Sequence, residues 1–392
     1  MKSTLSGLAV AHFVTDIYLP VLPAIIPLLI RDNGYSYLAA GLLVTAYNLA
    51  SSCTQPVVGW LADTRGFSVS ISISLLISGV FIALMGIAHD YRLILLLAIL
   101  AALGHACFHP AALSRVSRLC STGNRGRITS YFVVGGNLGY AIGPAIAGAL
   151  VYWYGLPGLL FLVLPALLMV LALRYLLPGG IAGGCPPVRQ QVPAPAGETP
   201  SKRPFAILMA ASVLRAWAIY AAITFLPTYL VGQGYTLFGA SAIVTLMLLA
   251  GVGGQVFGGQ ISDRYGRKEF MVFGLAAAIP LFWLFFVSTG FVAIAFLLLF
   301  GFALWSTFAV AVAMGHELLP QNVGLASGMM LGLAIGVGGL GVAVNGMIAD
   351  QYSLGAALCT IPVPLIAALL LMAVLPYPWK SLARVRAGEK PA

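Results

Sequence analysis

Residues 27–66 and 227–266 are two copies of one stretch, 200 positions apart and without a gap. Twelve of the forty positions are identical: Pro27, Gly34, Tyr35, Ala40, Val44, Thr45, Leu49, Ala50, Gln55, Gly59, Asp63 and Gly66 each meet their own type in the second copy. Matches among Ala, Leu and Val come cheaply in an apolar chain. Gln, Tyr, Asp and three glycines in register do not. A chain with this repeat is built from two related halves.

The apolar runs say what kind of halves. Of 392 residues, 60% are hydrophobic and 8% charged, whereas soluble domains carry about 25% charged residues. The mean hydropathy is +1.00. Twelve segments have the length and apolarity of a membrane span: 5–30, 37–61, 69–88, 93–114, 128–153, 156–177, 205–231, 237–261, 269–288, 291–315, 324–349 and 354–376. The expected fold is an all-α integral membrane protein of twelve transmembrane helices in two pseudo-symmetric six-helix bundles, 1–177 and 204–379. Between them, 178–203 is rich in Pro, Gly and polar residues and reads as a linker, and 380–392 forms a basic tail. The first apolar run has no small-residue cleavage site behind it and reads as a retained span.

The net charge of +10 follows the loops. Seventeen Lys and Arg fall on the side of both termini, from Lys2 and Arg65 to the tail, and only Arg31 and Arg92 on the other. By the positive-inside rule both termini are cytoplasmic, in the inner membrane of a cell, and nucleic acid is not the partner. The five cysteines are scattered without a disulfide or metal pattern. No Walker loop, nucleophile elbow or soluble domain is present, so neither an enzyme nor an ATP-driven pump is expected.

Gly259-Gln-Ile-Ser-Asp263-Arg264-Tyr-Gly266-Arg267-Lys268 lies between spans 8 and 9, and Gly59-Trp-Leu-Ala-Asp63-Thr-Arg65-Gly66 lies between spans 2 and 3. Both resemble the loop motif of the major facilitator superfamily; Phe67 and Ser68 stand where the first copy usually has basic residues. The motif's glycines are expected to let helices approach closely. Asp63, Arg65, Asp263, Arg264, Arg267 and Lys268 are the expected gating clamp at the cytoplasmic face. Span 5 carries Gly135, Gly139, Gly143, Pro144 and Gly148, which resembles the Gly-Pro motif of the superfamily's exporters. Span 11 repeats the glycines without the proline. Within the superfamily, His12-Phe-Val-Thr-Asp16, Gln55-Pro56 and Phe108-His109-Pro110 resemble the fosmidomycin-resistance group of efflux pumps. One departure stands out. The drug exporters' span-4 arginine, four residues before a glycine, is replaced by Leu100 before Gly104, so proton coupling through that arginine does not carry over.

Charged groups inside a span are expensive and mark function. Asp16 and Arg215 lie about eleven residues into spans 1 and 7, close to mid-bilayer. His12 and Asp16 are four apart on one helix face, as are His105 and His109 in span 4. Gln55 and Gln255 sit at matching depths in spans 2 and 8. The resemblance implies that spans 1, 4, 7 and 10 line a central cavity, which would bring Asp16, the histidines and Arg215 to one site. Asp16 and His12 are the expected proton-coupling pair, and Arg215, His105, His109, Gln55 and Gln255 the expected substrate contacts. A structural pairing of Asp16 with Arg215 or a histidine is the competing reading.

The expected function is secondary active transport by alternating access. The partners are a small anionic or zwitterionic substrate, protons and the lipid bilayer; the chain acts as a monomer. No cofactor or metal is expected, the proton gradient being the energy source. Export by antiport is the leading reading. Proton-coupled import of an anionic metabolite is the alternative, and transition-metal transport through the paired histidines the third.

Overall fold

The computed structural model describes residues 2–65, 69–119, 125–176 and 202–379. The linker segment 178–201, the tail 380–392, residues 66–68 of the first loop motif and the side chain of Asp63 lie outside the described residues. Among those described, the regular structure is helical throughout. Span 1 consists of α1 (Lys2–Ile17) and α2 (Val21–Asn33); α3 (Tyr37–Arg65) is span 2. Spans 3 to 6 are α4 (Ile71–Leu84) with a 3-10 turn to Ile87, α5 (Tyr91–Leu119), α6 (Arg125–Tyr154), and α7 (Val163–Leu176) behind a 3-10 segment. The second half has α8 (Lys202–Gly232), α9 (Leu237–Tyr265), α10 (Arg267–Val287) and α11 (Gly290–Leu318). Span 11 is α12 (Val323–Gly328), a π-helical turn and α13 (Ala334–Gln351); span 12 is α14 (Leu354–Cys359) and α15 (Pro362–Val374).

Every expected span falls on these helices. Ten of the described helical segments are long and apolar enough to cross a membrane, and Ile71–Ile87 is a shorter apolar one. The 29-residue α3 is not among the ten. Its middle carries Thr45, Asn48, Ser51, Ser52, Thr54 and Gln55, a polar face that lowers its hydropathy.

Two local features follow directly from residue type. Span 1 breaks at Pro20, which has no N–H to give, and the chain tightens there: the Tyr18 and Leu19 amides reach back only to the carbonyls of Thr15 and Asp16, at 3.4 Å each. The repeated Gly34 and Gly234 have φ of 67° and 92°, a left-handed conformation that a side chain disfavours. The repeat thus preserves a chain reversal before each copy of the second helix.

Contacts divide the described residues into two units, those up to 176 with 223–245 and 342–354, and 202–222 with 246–341 and 355–379. In the first unit α6 lies against span 1 along a glycine seam. A Cβ at Gly135, Gly139 or Gly143 would overlap the carbonyl oxygen of Ala9, Phe13 or Ile17 respectively, one turn apart on each helix. On another face of α6, the Ala145 amide donates to Thr245 Oγ1 at 3.0 Å, and Gly148 abuts Ser241. The carboxylate of Asp350 caps α3, and Gly346 sits against the Tyr37 backbone. In the second unit Gly338 and Gly341 of α13 seat Ala216 and Trp217 of α8, while Gly254 and Gly258 of α9 meet the Phe302 and Ser306 carbonyls of α11. These small residues let backbones touch where no hydrophobic force separates lipid from protein contact.

Candidate functional site

The expected close approach at the loop motif's first glycine is not found. Nothing among the described residues lies within 4 Å of a Cβ built on Gly59 or Gly259. The neighbouring Gly251, Gly254 and Gly258 do that work in α9, which sequence spacing at four and three residues would have allowed one to see.

In the first unit, α1 and α5 bring four side chains together. His12 Nε2 lies 3.2 Å from Asp16 Oδ2. His105 Nε2 and His109 Nε2 approach Asp16 Oδ1 at 3.4 Å and 3.9 Å. The two α5 imidazoles face each other through their Nε2 atoms at 3.2 Å. Each helix supplies its pair from i and i+4, so the one-turn spacing read in the sequence places both pairs on facing surfaces. His12, Asp16 and His109 present ligand atoms that all lie within 4.8 Å of one another.

Neighbours fix the orientation of these rings. His12 Nδ1 is 2.9 Å from the Phe132 carbonyl oxygen, which only accepts, so Nδ1 carries a proton, and a hydrogen bond between Nε2 and the Asp16 carboxylate takes a second proton, on Nε2 or on Asp16. The His12 ring also stacks on Phe132, centroids 4.2 Å apart. A Cβ at Gly136 would overlap His12 Nε2 and come within 2.6 Å of Asp16 Oδ2. Gly136, next to the first glycine of the span-5 motif, therefore makes room for the acid and its histidine, while the motif's own glycines make the helix contact. Asp16 Oδ1 is buried and has no well-aligned hydrogen bond, although two imidazoles stand near it. A buried carboxylate oxygen short of a donor, with imidazoles from two helices beside it, can accept from a ring N–H that turns toward it.

From α3, Ser51 Oγ lies 3.1 Å from His105 Nδ1, and Gln55 Nε2 donates to Ser51 Oγ at 3.2 Å. Gln55 thus joins the cluster indirectly. Ser51 escaped the sequence reading because a serine in an apolar helix is common; the signal was the polar run Asn48, Ser51, Ser52, Gln55 on one face. Tyr18 does not enter the cluster: it is fully buried and its hydroxyl donates to the Leu162 carbonyl at 3.0 Å.

In the second unit, Arg215 is 3% exposed. Its Nε and Nη1 have no hydrogen-bond partner among the described residues, and its guanidinium lies over the Phe308 ring, 5.1 Å from the centroid. A desolvated cation with open donors favours an anion. Gln255 is half-buried in α9.

The second loop motif forms its own network. Arg267 bridges Asp263 at 3.2 Å and Glu317 of α11 at 2.9 Å, and the Tyr377 hydroxyl donates to the other oxygen of Glu317. Burial and that carboxylate push the Tyr377 phenol above its ordinary range, so it stays a donor. Lys268 turns elsewhere. Its Nζ donates to the carbonyls of Ala373 and Leu375 at 3.1 Å and 2.7 Å and lies 4.3 Å from the centre of the Trp379 ring, capping the C-terminus of α15. Arg264 lies over the Tyr265 ring beside it in the chain, and Arg65 over Trp60.

The profile of the Major Facilitator Superfamily matches residues 4–341 and 240–390. The chain belongs to this superfamily. It is 30% identical over 364 residues to the fosmidomycin resistance protein of Escherichia coli K12, covering 89% of this chain and 87% of that protein. It is 29% identical over 360 residues to the uncharacterized MFS-type transporter YfnC of Bacillus subtilis 168, covering 88% and 86%. Its fold matches a crystal structure of a bacterial homologue of the human lysosomal transporter Spinster, with a TM-score of 0.78 and 17% identity over 99% of this chain and 98% of that one. The protein is a multi-pass membrane transporter of the major facilitator fold, not an enzyme.

Proposed function

We propose that this transporter is a proton-coupled exporter of small anionic or zwitterionic compounds, with Asp16 and His12 as the proton site. The observation that carries the reading is the Asp16 carboxylate, 14% exposed, with three imidazoles from two helices within 4 Å of it. A carrier driven by protons needs a titratable group deep in a span, and Asp16 with His12 is that group here. In the cycle, the site opens outward, takes a proton and gives up its substrate. It then opens inward, releases the proton and accepts substrate from the cytoplasm. The open donors of buried Arg215 support an anionic substrate. The likeness to a fosmidomycin resistance protein supports export. The excess of Lys and Arg beside the termini supports an orientation with both termini cytoplasmic, in the inner membrane. The bundles 1–177 and 204–379 act as the moving bodies of a monomer, with the Asp263–Arg267–Glu317 network and its first-half counterpart at Asp63 and Arg65 as gating contacts.

The test is transport by the purified protein in proteoliposomes under an imposed proton gradient, with fosmidomycin as the anionic probe. Wild type should accumulate it against its gradient. Asp16→Asn should lose accumulation yet keep downhill exchange. Undiminished accumulation by Asp16→Asn overturns the proton assignment. Proton-independent movement of a divalent transition ion in place of the anion overturns the substrate class.

A further inference from the structure

We propose that Ser51 is a positioning residue for the proton site. It holds the neutral His105 ring with its proton on Nε2, aimed at Asp16 and His109, and ties that choice to Gln55. The proposal rests on the reading of Asp16 as the proton site for its transport consequence, but the positioning itself does not.

The argument is an accounting of donors. Gln55 Nε2 donates to Ser51 Oγ at 3.2 Å, which fills one of the hydroxyl's two lone pairs. The hydroxyl hydrogen is then free for His105 Nδ1, 3.1 Å away. With the hydroxyl donating, Nδ1 is the acceptor and the single proton of the neutral ring sits on Nε2; an Nδ1–H would instead take the hydroxyl's second lone pair and cost its hydrogen this acceptor. On Nε2 the proton faces two acceptors, His109 Nε2 at 3.2 Å and Asp16 Oδ1 at 3.4 Å. The other tautomer would point a bare Nε2 lone pair at the carboxylate, with the His109 Nε2 as its other near neighbour. Ser51 and His105 are 5% and 4% exposed, so bulk water does not make up for a wrong choice.

When the cluster gains a proton, His105 can carry hydrogens on both nitrogens. Nδ1–H then needs an acceptor, and the hydroxyl supplies its second lone pair by rotating. Ser51 therefore serves both charge states, donating to the neutral ring and accepting from the charged one. An alanine serves neither; a threonine serves both. The charge-assisted bond is the stronger of the two. Other titratable groups at His105 are Asp16 from α1, with His12 on the far oxygen of that acid, His109 from its own helix and Tyr47 from α3, whose ring centre is 6.2 Å away. From α6 the cluster meets the Phe132 carbonyl and Gly136. From α4, Ser78 and Ile77 lie beside Gly104, one residue before His105, and neither titrates.

The test reads the tautomer directly. Protein with 15N-labelled histidine, in nanodiscs at a pH where the rings are neutral, reports protonated and bare ring nitrogens at well separated shifts; His105→Gln assigns the signal. Wild type should show a bare Nδ1 and a protonated Nε2. Ser51→Ala should lose that single pattern, and Ser51→Thr should keep it. In the proteoliposome assay Ser51→Ala should lose part of its proton-driven accumulation, while Ser51→Thr keeps it. An unchanged tautomer in a folded Ser51→Ala overturns the proposal. Should Ser51→Ala not fold, loss of the Nε2–H pattern in Gln55→Leu supports the chain of donors, and its persistence there overturns it. A reversed tautomer together with full proton-driven accumulation by Asp16→Asn would sustain the positioning of His105 while overturning the proton-site reading.

Discussion

The carboxylate of Asp350 accepts the backbone amide of Tyr37, 313 residues earlier in the chain, at 2.7 Å, and its second oxygen accepts the next amide, that of Leu38, at 2.9 Å. Both amides belong to the first turn of α3, where four donors have no partner inside the helix. A side chain from span 11 thus does what an N-cap residue usually does from its own helix, and its charge also suits the positive helix end. Asp350→Ala should cost about 1 kcal/mol and expose the amides of Tyr37 and Leu38 to hydrogen exchange, with Asp350→Asn intermediate. Unchanged exchange in the 37–40 segment would mean the cap is dispensable.

Gly136 and Gly59 should answer differently to the same substitution. A methyl at Gly136 overlaps His12, whereas one at Gly59 meets open space. Gly136→Ala should lower thermal stability by about 1–3 kcal/mol and abolish proton-driven transport. Gly59→Ala, in a helix, should be neutral or stabilising by up to about 1 kcal/mol. Scanning fluorimetry in detergent, paired with the liposome assay, checks both.

Lys268 and Arg267 are adjacent in the motif but should separate by phenotype. Lys268→Met leaves the Ala373 and Leu375 carbonyls without their donor and should lower stability by about 2 kcal/mol, with transport by the surviving protein retained. Arg267→Met breaks the links to Asp263 and Glu317 and should slow transport with a smaller stability loss, since Asp263 is largely exposed. Equal turnover defects in the two variants would remove the distinction.

Arg215 supplies a fixed charge. Arg215→Lys keeps the charge and loses the planar fork, so binding of an anionic probe should weaken about tenfold; Arg215→Ala should abolish it. Isothermal titration with fosmidomycin measures both, and unchanged affinity in each would make the guanidinium a structural group held by Phe308.

The spans and the repeat were legible because apolar runs of membrane length and glycines at fixed offsets are written locally. Even the pairing of His12 with Asp16, and of His105 with His109, shows in one-turn spacing. That the two pairs meet across α1 and α5 does not, because no local pattern fixes which faces of two helices touch; the resemblance to a known fold supplied it. Ser51 and Lys268 were harder still. Ser51 acts through a ring 54 residues away. Lys268 binds backbone carbonyls, and backbone acceptors have no residue type to announce them. The loop motif suggested a gate for all its basic residues and gave no sign that one of them serves the last helix.

The seam between α6 and span 1 carries a consequence for descent. Gly135, Gly139 and Gly143 touch main chain, so any lineage that keeps this helix contact keeps them whatever it transports. Gly136 touches only the side chains of His12 and Asp16 among its nearest neighbours. It is free to drift once those two are lost and is frozen while they remain. Homologous chains should therefore sort into two groups, those with glycine here and the histidine–aspartate pair in span 1, and those with neither. Sequences that split the combination, most of all a bulky residue at this position beside an intact pair, should be rare enough to mark a carrier that has stopped using the acid.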